Sequence, residues 1–385
     1  MQFSHLPFRT PLQDYQRQAE QLLEAWRAGH STAVEIFRHS HPRFLDKEIP
    51  WLPSREMSEE EFRSTRLEIA DAQLALARSY NFLDWASLVE HVEAVTMDDS
   101  PVARFEAAVE AVVNGELAAL KELLRRYPAL VRARSSRVTC FDPPVHRATL
   151  LHYVAANGVE NYRQKTPPNA VEIATALLGA GAEPDALAHL YGGECTTMTL
   201  LVSSSHPADA GVQVALVDTL VDFGAAVEPR GTGNWTSPLI TALVFGYLDA
   251  AEALVRRGAQ VSSLAAASGL GRLEDAQRFL PASSADERHR ALALACALGH
   301  ADVVAVLLDA GEDPNRYNPG AFHAHSTPLH QAALAGQLAV VRLLVERGAR
   351  LDIRDTIYRS TPLGWALHAG RTGIAGYLKS RGAAE

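Results

Sequence analysis

Fifteen histidines in 385 residues supply groups able to exchange protons near neutral pH. The densest cluster is His323-Ala324-His325, with His330 close behind. Two histidines one residue apart on an extended loop put both rings on one side, and a following helix could add a third nitrogen, as a zinc site requires. His330, however, stands three residues after Thr327, where its ring can bond back to a helix start. The cluster therefore reads as a capped helix with a polar tip, and no metal is expected. Cys195, beside Glu194 and ahead of His206, has the residue types of a nucleophile and its base. No elbow motif surrounds it, so covalent catalysis is not expected. Gly192-Gly193 lacks the Lys-Ser/Thr of a phosphate loop and reads as a turn. No cofactor is expected.

Charge and composition narrow the partners. With 36 Lys and Arg against 45 Asp and Glu, the formal net charge is −9. That disfavours a broad phosphate-binding face, and an aromatic content of 7% disfavours a base-stacking platform, so nucleic acid is not an expected partner. No apolar run approaches the ~20 residues that span a bilayer, so no membrane partner is expected. The opening residues lack the apolar core of a signal peptide. Three distant cysteines without a CxxC spacing fit a reducing, cytoplasmic location.

Two short signatures recur and define the elements that must position these groups. One opens a unit: Thr327-Pro328-Leu329-His330 and Thr361-Pro362-Leu363-Gly364, with weaker copies at Thr149, Thr199, Ser237 and Ala291. The other closes it with an apolar pair, two spacers and Gly, as in Leu307-Leu308 with Gly311 and Leu344-Val345 with Gly348. Thr327 suits a helix N-cap and Pro328 the first helical position. Ala332, Ala333 and Ala335 keep the first helix thin, and Gly336 ends it. Leu338, Val341, Leu344 and Val345 then give a second helix one apolar face. Such a pair cannot bury its own face and must stack on the next.

This pattern resembles the ankyrin repeat, most clearly over Thr327–Asp352 and Thr361–Gly382. The resemblance implies an all-α fold, an ankyrin-repeat solenoid with a helical N-terminal capping domain. About seven repeats fill residues 147–385, one of them degenerate at 263–290, and a divergent helix pair with a connecting loop occupies 99–146. Extra residues at Asn161–Asn169, at Asp185–Thr196, at 206–211 and in an enlarged tip at 316–326 are expected as loops on the binding face. Residues 1–98 carry neither signature. Leu12–Arg27, Ala33–Phe37, Leu67–Tyr80 and Trp85–Val95 read as helices, with a further one starting at the Ser58 cap. The stretch 69–94 is similar to segments met ahead of ankyrin arrays in bacterial proteins, which suggests a bacterial source.

In ankyrin repeats the binding surface usually combines the inner faces of the first helices with the connecting tips. The resemblance therefore places Tyr153, Gln331 and Trp365, together with Ser203 and Thr241, on that inner face. Asn157, Phe245 and His368 follow one turn later. The tips add Tyr191, Glu194, Trp235, His323, His325 and Tyr358. The function implied is non-catalytic recognition of a protein partner through the concave face and tips. The alternative is a small-molecule-binding protein or acid–base enzyme whose pocket on that face would use His323, His325, His368 and Glu194.

Overall fold

The computed structural model describes residues 3–384, so the outermost positions of the ranges 1–98 and 147–385 lie outside the described residues. By internal contacts the chain falls into two compact units, residues 1–226 with 230–236, and residues 227–229 with 237–385. The boundaries expected at 98 and 146 both fall inside the first.

In the first unit, five helices lead: α1 Leu12–Arg27, α2 Ser31–Ser40, α3 Glu59–Ser64, α4 Ile69–Ser79 and α5 Trp85–Thr96. Apolar spacing explains α1, which buries Tyr15, Ala19, Leu22, Leu23 and Trp26 together. Ser58 caps α3 and Glu61 returns the bond to the Ser58 backbone. Paired helices follow, α6 Pro101–Val113 with α7 Leu117–Arg126 and α8 Leu150–Val154 with α9 Ala170–Gly179. Then come α10 Thr197–Leu201, α11 Ser205–Asp209 and α12 Gln213–Asp222. The helices α6, α8 and α10 pack in sequence, and so do α7, α9 and α12.

Two segments expected as loops are ordered differently. Residues 185–196 contain a hairpin, β1 Leu187–Leu190 against β2 Gly193–Thr196, with Ala188 opposite Cys195. Its turn residues Tyr191 and Gly192 both have positive φ, at 53° and 73°, as a tight hairpin requires. A Cβ on Gly193 would lie 2.2 Å from the Thr232 carbonyl oxygen, so only glycine lets residues 230–236 run against β2. The insert at 161–169 turns inward through a short 3-10 turn, Asn161–Arg163, which buries Arg163 completely. The carboxylates of Glu106 and Glu110 on α6 make the burial of Arg163 tolerable.

Among the described residues the second unit has five α-helix pairs: α13 Pro238–Val244 with α14 Leu248–Arg256, α15 Leu264–Gly269 with α16 Leu273–Phe279, α17 Ala285–Leu298 with α18 Ala301–Asp309, α19 Pro328–Ala335 with α20 Leu338–Glu346, and α21 Pro362–His368 with α22 Thr372–Ser380. The first helices α13, α15, α17, α19 and α21 pack successively, and α16, α18, α20 and α22 form a second layer. From Leu264 to Leu378 one apolar core runs through these layers. Full burial of each Val or Leu in it stabilises by about 1.5–3 kcal/mol. In α19, His330 Nδ1 accepts the Thr327 amide at 3.2 Å, while its Nε2 reaches the Ser360 carbonyl at 3.1 Å. The expected cap therefore forms, and it ties one repeat to the next. Gly336 ends α19 at φ 87°, where a side chain would be strained. The fourth of the weaker opening signatures falls at Ala291, inside a helix. Helix α17 instead begins at Ala285 under a Ser284 cap, because the polar first turn carries no periodic apolar signal.

Candidate functional site

The second unit gathers aromatic and histidine side chains at the tips before α19 and α21. Asp355 organises them. Its carboxylate is buried and accepts the amides of Ile357, Tyr358 and Ser360 and the indole N–H of Trp365, the last at 3.0 Å. Burial alone would raise the pKa of Asp355. The Tyr358 and Ser360 amides and Trp365 outweigh it and hold the carboxyl below its usual range. The neighbouring tip is stitched on, since Thr356 donates to the His325 carbonyl at 2.9 Å and Tyr317 hydroxyl to the Arg354 carbonyl at 2.7 Å.

Tyr358 stands out from this frame, 59% exposed. Beside it lies a hollow of about 380 Å³ lined by Leu334, Tyr358, Ser360, Gly364, Trp365 and His368. The His325 ring packs between Tyr358 and Trp365, at centroid distances of 6.1 and 5.6 Å. Burial lowers the basicity of His325, with His323 nearby adding to the effect, so it is neutral near pH 7. Ala321, His323 and Arg359 adopt left-handed backbone at φ 64°, 60° and 53°. Such conformations cost on the order of 1–3 kcal/mol each and tend to persist where a shape is needed. The enlarged tip at 316–326 also leans inward, with His323 Nε2 lying 3.3 Å from the Val244 carbonyl at the end of α13.

Of the residues expected on the binding face, His323, His325, Tyr358, Trp365 and His368 come together here. His368 is exposed, whereas Trp365 is only 8% exposed and forms the floor of the hollow. Gln331 corrects the expectation, because it is buried and donates to Ser326 Oγ at 2.9 Å. Tyr153 is a second correction. It is buried against Phe105, and its hydroxyl points toward Glu160. Thr241 is buried also. Phe245 stays exposed at the end of α13. In the first unit, exposed Tyr191 donates to Asn157 Oδ1 at 2.7 Å, and Asn157 donates on to Ser203. Glu194 and Trp235 are half-buried there. The sequence reading missed Asp355, although an Asp that binds amides two residues ahead is a known turn former.

The four residues of the acid–base alternative are divided between the two units. His368 is its one candidate lining the hollow, and Glu194 belongs to the first unit. His323 and His325 face each other at 6.2 Å, and among the described residues neither is bonded to a carboxylate. Among the described residues no group of three His, Cys, Asp or Glu is placed to hold a metal ion. Burial pushes the Cys195 thiol up to about 11, and its Sγ faces the Leu190 carbonyl instead of a base. Among the described residues no helix is long and apolar enough to cross a membrane.

Comparison with known proteins fits the stacked helix pairs. The family model for ankyrin repeats in three copies matches residues 263–355 and 292–384. Human cyclin-dependent kinase 4 inhibitor B is 32% identical over 127 residues, which cover 32% of this chain and 89% of that protein. This chain belongs to the ankyrin-repeat family. The ankyrin repeat and KH domain-containing protein mask-1 of Caenorhabditis elegans is 28% identical over 289 residues. That match takes in 73% of this ankyrin-repeat chain and 10% of mask-1. The human ASB11 ankyrin repeat domain superposes with a TM-score of 0.37 at 21% identity, over 72% of this chain and 98% of that one. These relatives are animal proteins and lend no support to the bacterial source suggested by residues 69–94.

Proposed function

We infer that this ankyrin-repeat chain is a non-catalytic recognition module, and that it binds a protein partner through the tips before α19 and α21. Tyr358 carries the reading. A largely exposed ring sits on a tip already ordered by one buried carboxylate, beside a hollow floored by Trp365. An aromatic anchor on a pre-ordered support loses little entropy on binding, which is how a few residues dominate an interface. The hollow is of a size to take one or two apolar side chains of a partner. A relative named as a kinase inhibitor supports protein as the class of partner.

His323, His325, Tyr358 and His368 form the contact surface in this reading, and Phe245, Tyr191, Asn157, Glu194 and Trp235 are peripheral to it. Residues 1–98 act as the cap on the array, ahead of the divergent pair at 99–146 and the repeats at 147–385. The Asn81 side chain accepts the Asn161 amide at 2.8 Å, which supports a cap joined to the first repeats. Three free thiols support a reducing, cytoplasmic location. Selection of a phage-displayed peptide library tests the reading. Peptides taken on the wild type are expected to share an apolar or aromatic anchor and to bind Tyr358→Ala at least tenfold more weakly, about 1.4 kcal/mol. Selected peptides that bind both proteins equally would remove its basis.

A further inference from the structure

Charge is spread unevenly along the chain. From the enlarged tip at 316 to residue 384 there are nine Lys and Arg against three Asp and Glu, a positive stretch in a chain whose formal net charge is −9. Part of that charge is matched. Arg316 pairs with Asp286 and Arg350 with Asp352, each at 2.9 Å, and Arg347 pairs with Asp309 at 2.5 Å. Arg342 and Arg381 lie over the Tyr377 ring. Arg354, Arg359 and Arg371 are exposed and make no ion pair among the described residues. All three border the hollow beside Tyr358. Arg359 stands between Tyr358 and Ser360, which both line it, and Arg354 donates to the Arg359 carbonyl at 2.8 Å. Arg371 donates through Nε to the carbonyl of Leu334, another lining residue, at 3.1 Å. The carboxylate within this frame is Asp355, and it is buried with both oxygens taken. Oδ1 accepts the amides of Ile357 and Tyr358, and Oδ2 accepts the Ser360 amide and the Trp365 indole N–H. The rim thus sets three guanidiniums against one buried carboxylate, a surplus of two positive charges.

Exposed guanidiniums keep their water, so they do not strain the free chain. They set the sign of the potential over the hollow, which draws a negative partner and repels a positive one. Guanidinium also matches a carboxylate with two parallel hydrogen bonds. A nucleic acid would feel the same attraction. Three guanidiniums around one small hollow are, however, too few for the run of phosphate contacts that holds such a polymer, and the net charge of −9 opposes it. The hollow itself calls for an apolar side chain. Resting on the recognition reading above, we propose that the partner is an acidic peptide segment, its apolar anchor in the hollow and its flanking carboxylates paired with Arg354, Arg359 and Arg371.

Peptides selected on the wild-type chain are the probes, titrated with the full chain by fluorescence anisotropy. Asp and Glu should outnumber Lys and Arg beside their anchor. A copy with every Asp and Glu changed to Asn or Gln should bind about tenfold more weakly, and added salt should weaken the acidic peptide but not that copy. Arg359→Glu should weaken the acidic peptide at least about threefold, and the Arg359 side chain makes no hydrogen bond among the described residues whose loss could unfold the tip. Lys121→Glu, the same charge change at an exposed position of the first unit, should leave binding as it is. Peptides without an acidic excess, an amide copy that binds as tightly, or unchanged binding to Arg359→Glu would each overturn the proposal. If Tyr358→Ala still loses those peptides, the recognition reading stands and the acidic character alone falls. If Tyr358→Ala binds them like wild type, or the library yields no peptide, the reading fails and the proposal with it. Tighter binding of single-stranded oligothymidylate than of the peptides would assign the surface to nucleic acid and overturn the proposal too.

Discussion

Replacing Arg163 by Met removes the positive centre of the first unit while keeping an apolar stem of similar reach. Glu106 is 1% exposed and lies 2.5 Å from Arg163. Its burial alone would raise its pKa, and Arg163 is the main group that holds it below the usual carboxylate range. Removing one partner of such a buried pair costs about 3–5 kcal/mol, because the other charge is stranded. Loss of the bond to the partly exposed Glu110 adds at most about 1 kcal/mol. With a urea slope of about 2 kcal/mol/M, a loss near 4 kcal/mol moves the unfolding midpoint down by about 2 M. The assay is urea unfolding at pH 7, followed by far-ultraviolet circular dichroism. Adding Glu106→Leu to Arg163→Met removes the stranded charge and should restore at least about 2 kcal/mol, a coupling that only interacting residues show. A midpoint shift below about 0.5 M for Arg163→Met, or a double variant no more stable than that single one, would refute this reasoning.

Three further outcomes follow from the same structure. Asp355→Ala should free the amides of Tyr358 and Ser360, speeding their hydrogen exchange and costing about 2–3 kcal/mol; unchanged exchange would contradict its organising role. His152 and His330 are both buried, and desolvation lowers each from 6.5 to about 4 in the folded chain. Between those values the unfolded chain holds protons that the folded chain does not, so stability rises with pH there and is lost as pH falls from 6.5 toward 4. Melting temperatures should accordingly drop between pH 7 and pH 5, and a flat profile would contradict neutral buried rings. Burial raises all three thiols, but Cys195 and Cys296 are buried while Cys140 is half-buried, so alkylation of the native chain at pH 8 should modify Cys140 far faster than the other two. Equal labelling of all three would show that the core opens readily.

The repeat architecture was legible because capping and spacing are local physics. Thr327 with His330, Ser263 before Leu264, and the apolar face of Leu338, Val341 and Leu344 each declare a helix without knowledge of its neighbours. The N-terminal helices were legible for the same reason, α1 to the residue. The errors lie where distant groups decide. Arg163 looks like a solvent residue until Glu106, fifty-seven positions earlier, is placed beside it. Likewise β1 pairs with β2, whose first residue Gly193 must be glycine because residues 230–236 run against it. The candidate site was half legible. Residue type identified Tyr358, His325 and Trp365, but exposure could not be read. Gln331 and Tyr153 share the repeat position of Trp365, which floors the hollow, yet they turn to Ser326 and toward Glu160.

The most direct test of recognition through the second-unit tips is site-specific photocrosslinking to a selected peptide. A benzophenone amino acid in place of Tyr358 should capture the peptide, whereas the same group in place of Glu346, exposed at the end of α20, should not. Equal capture from both positions, or no capture from position 358 while the peptide stays bound, would contradict the placement of the partner on these tips.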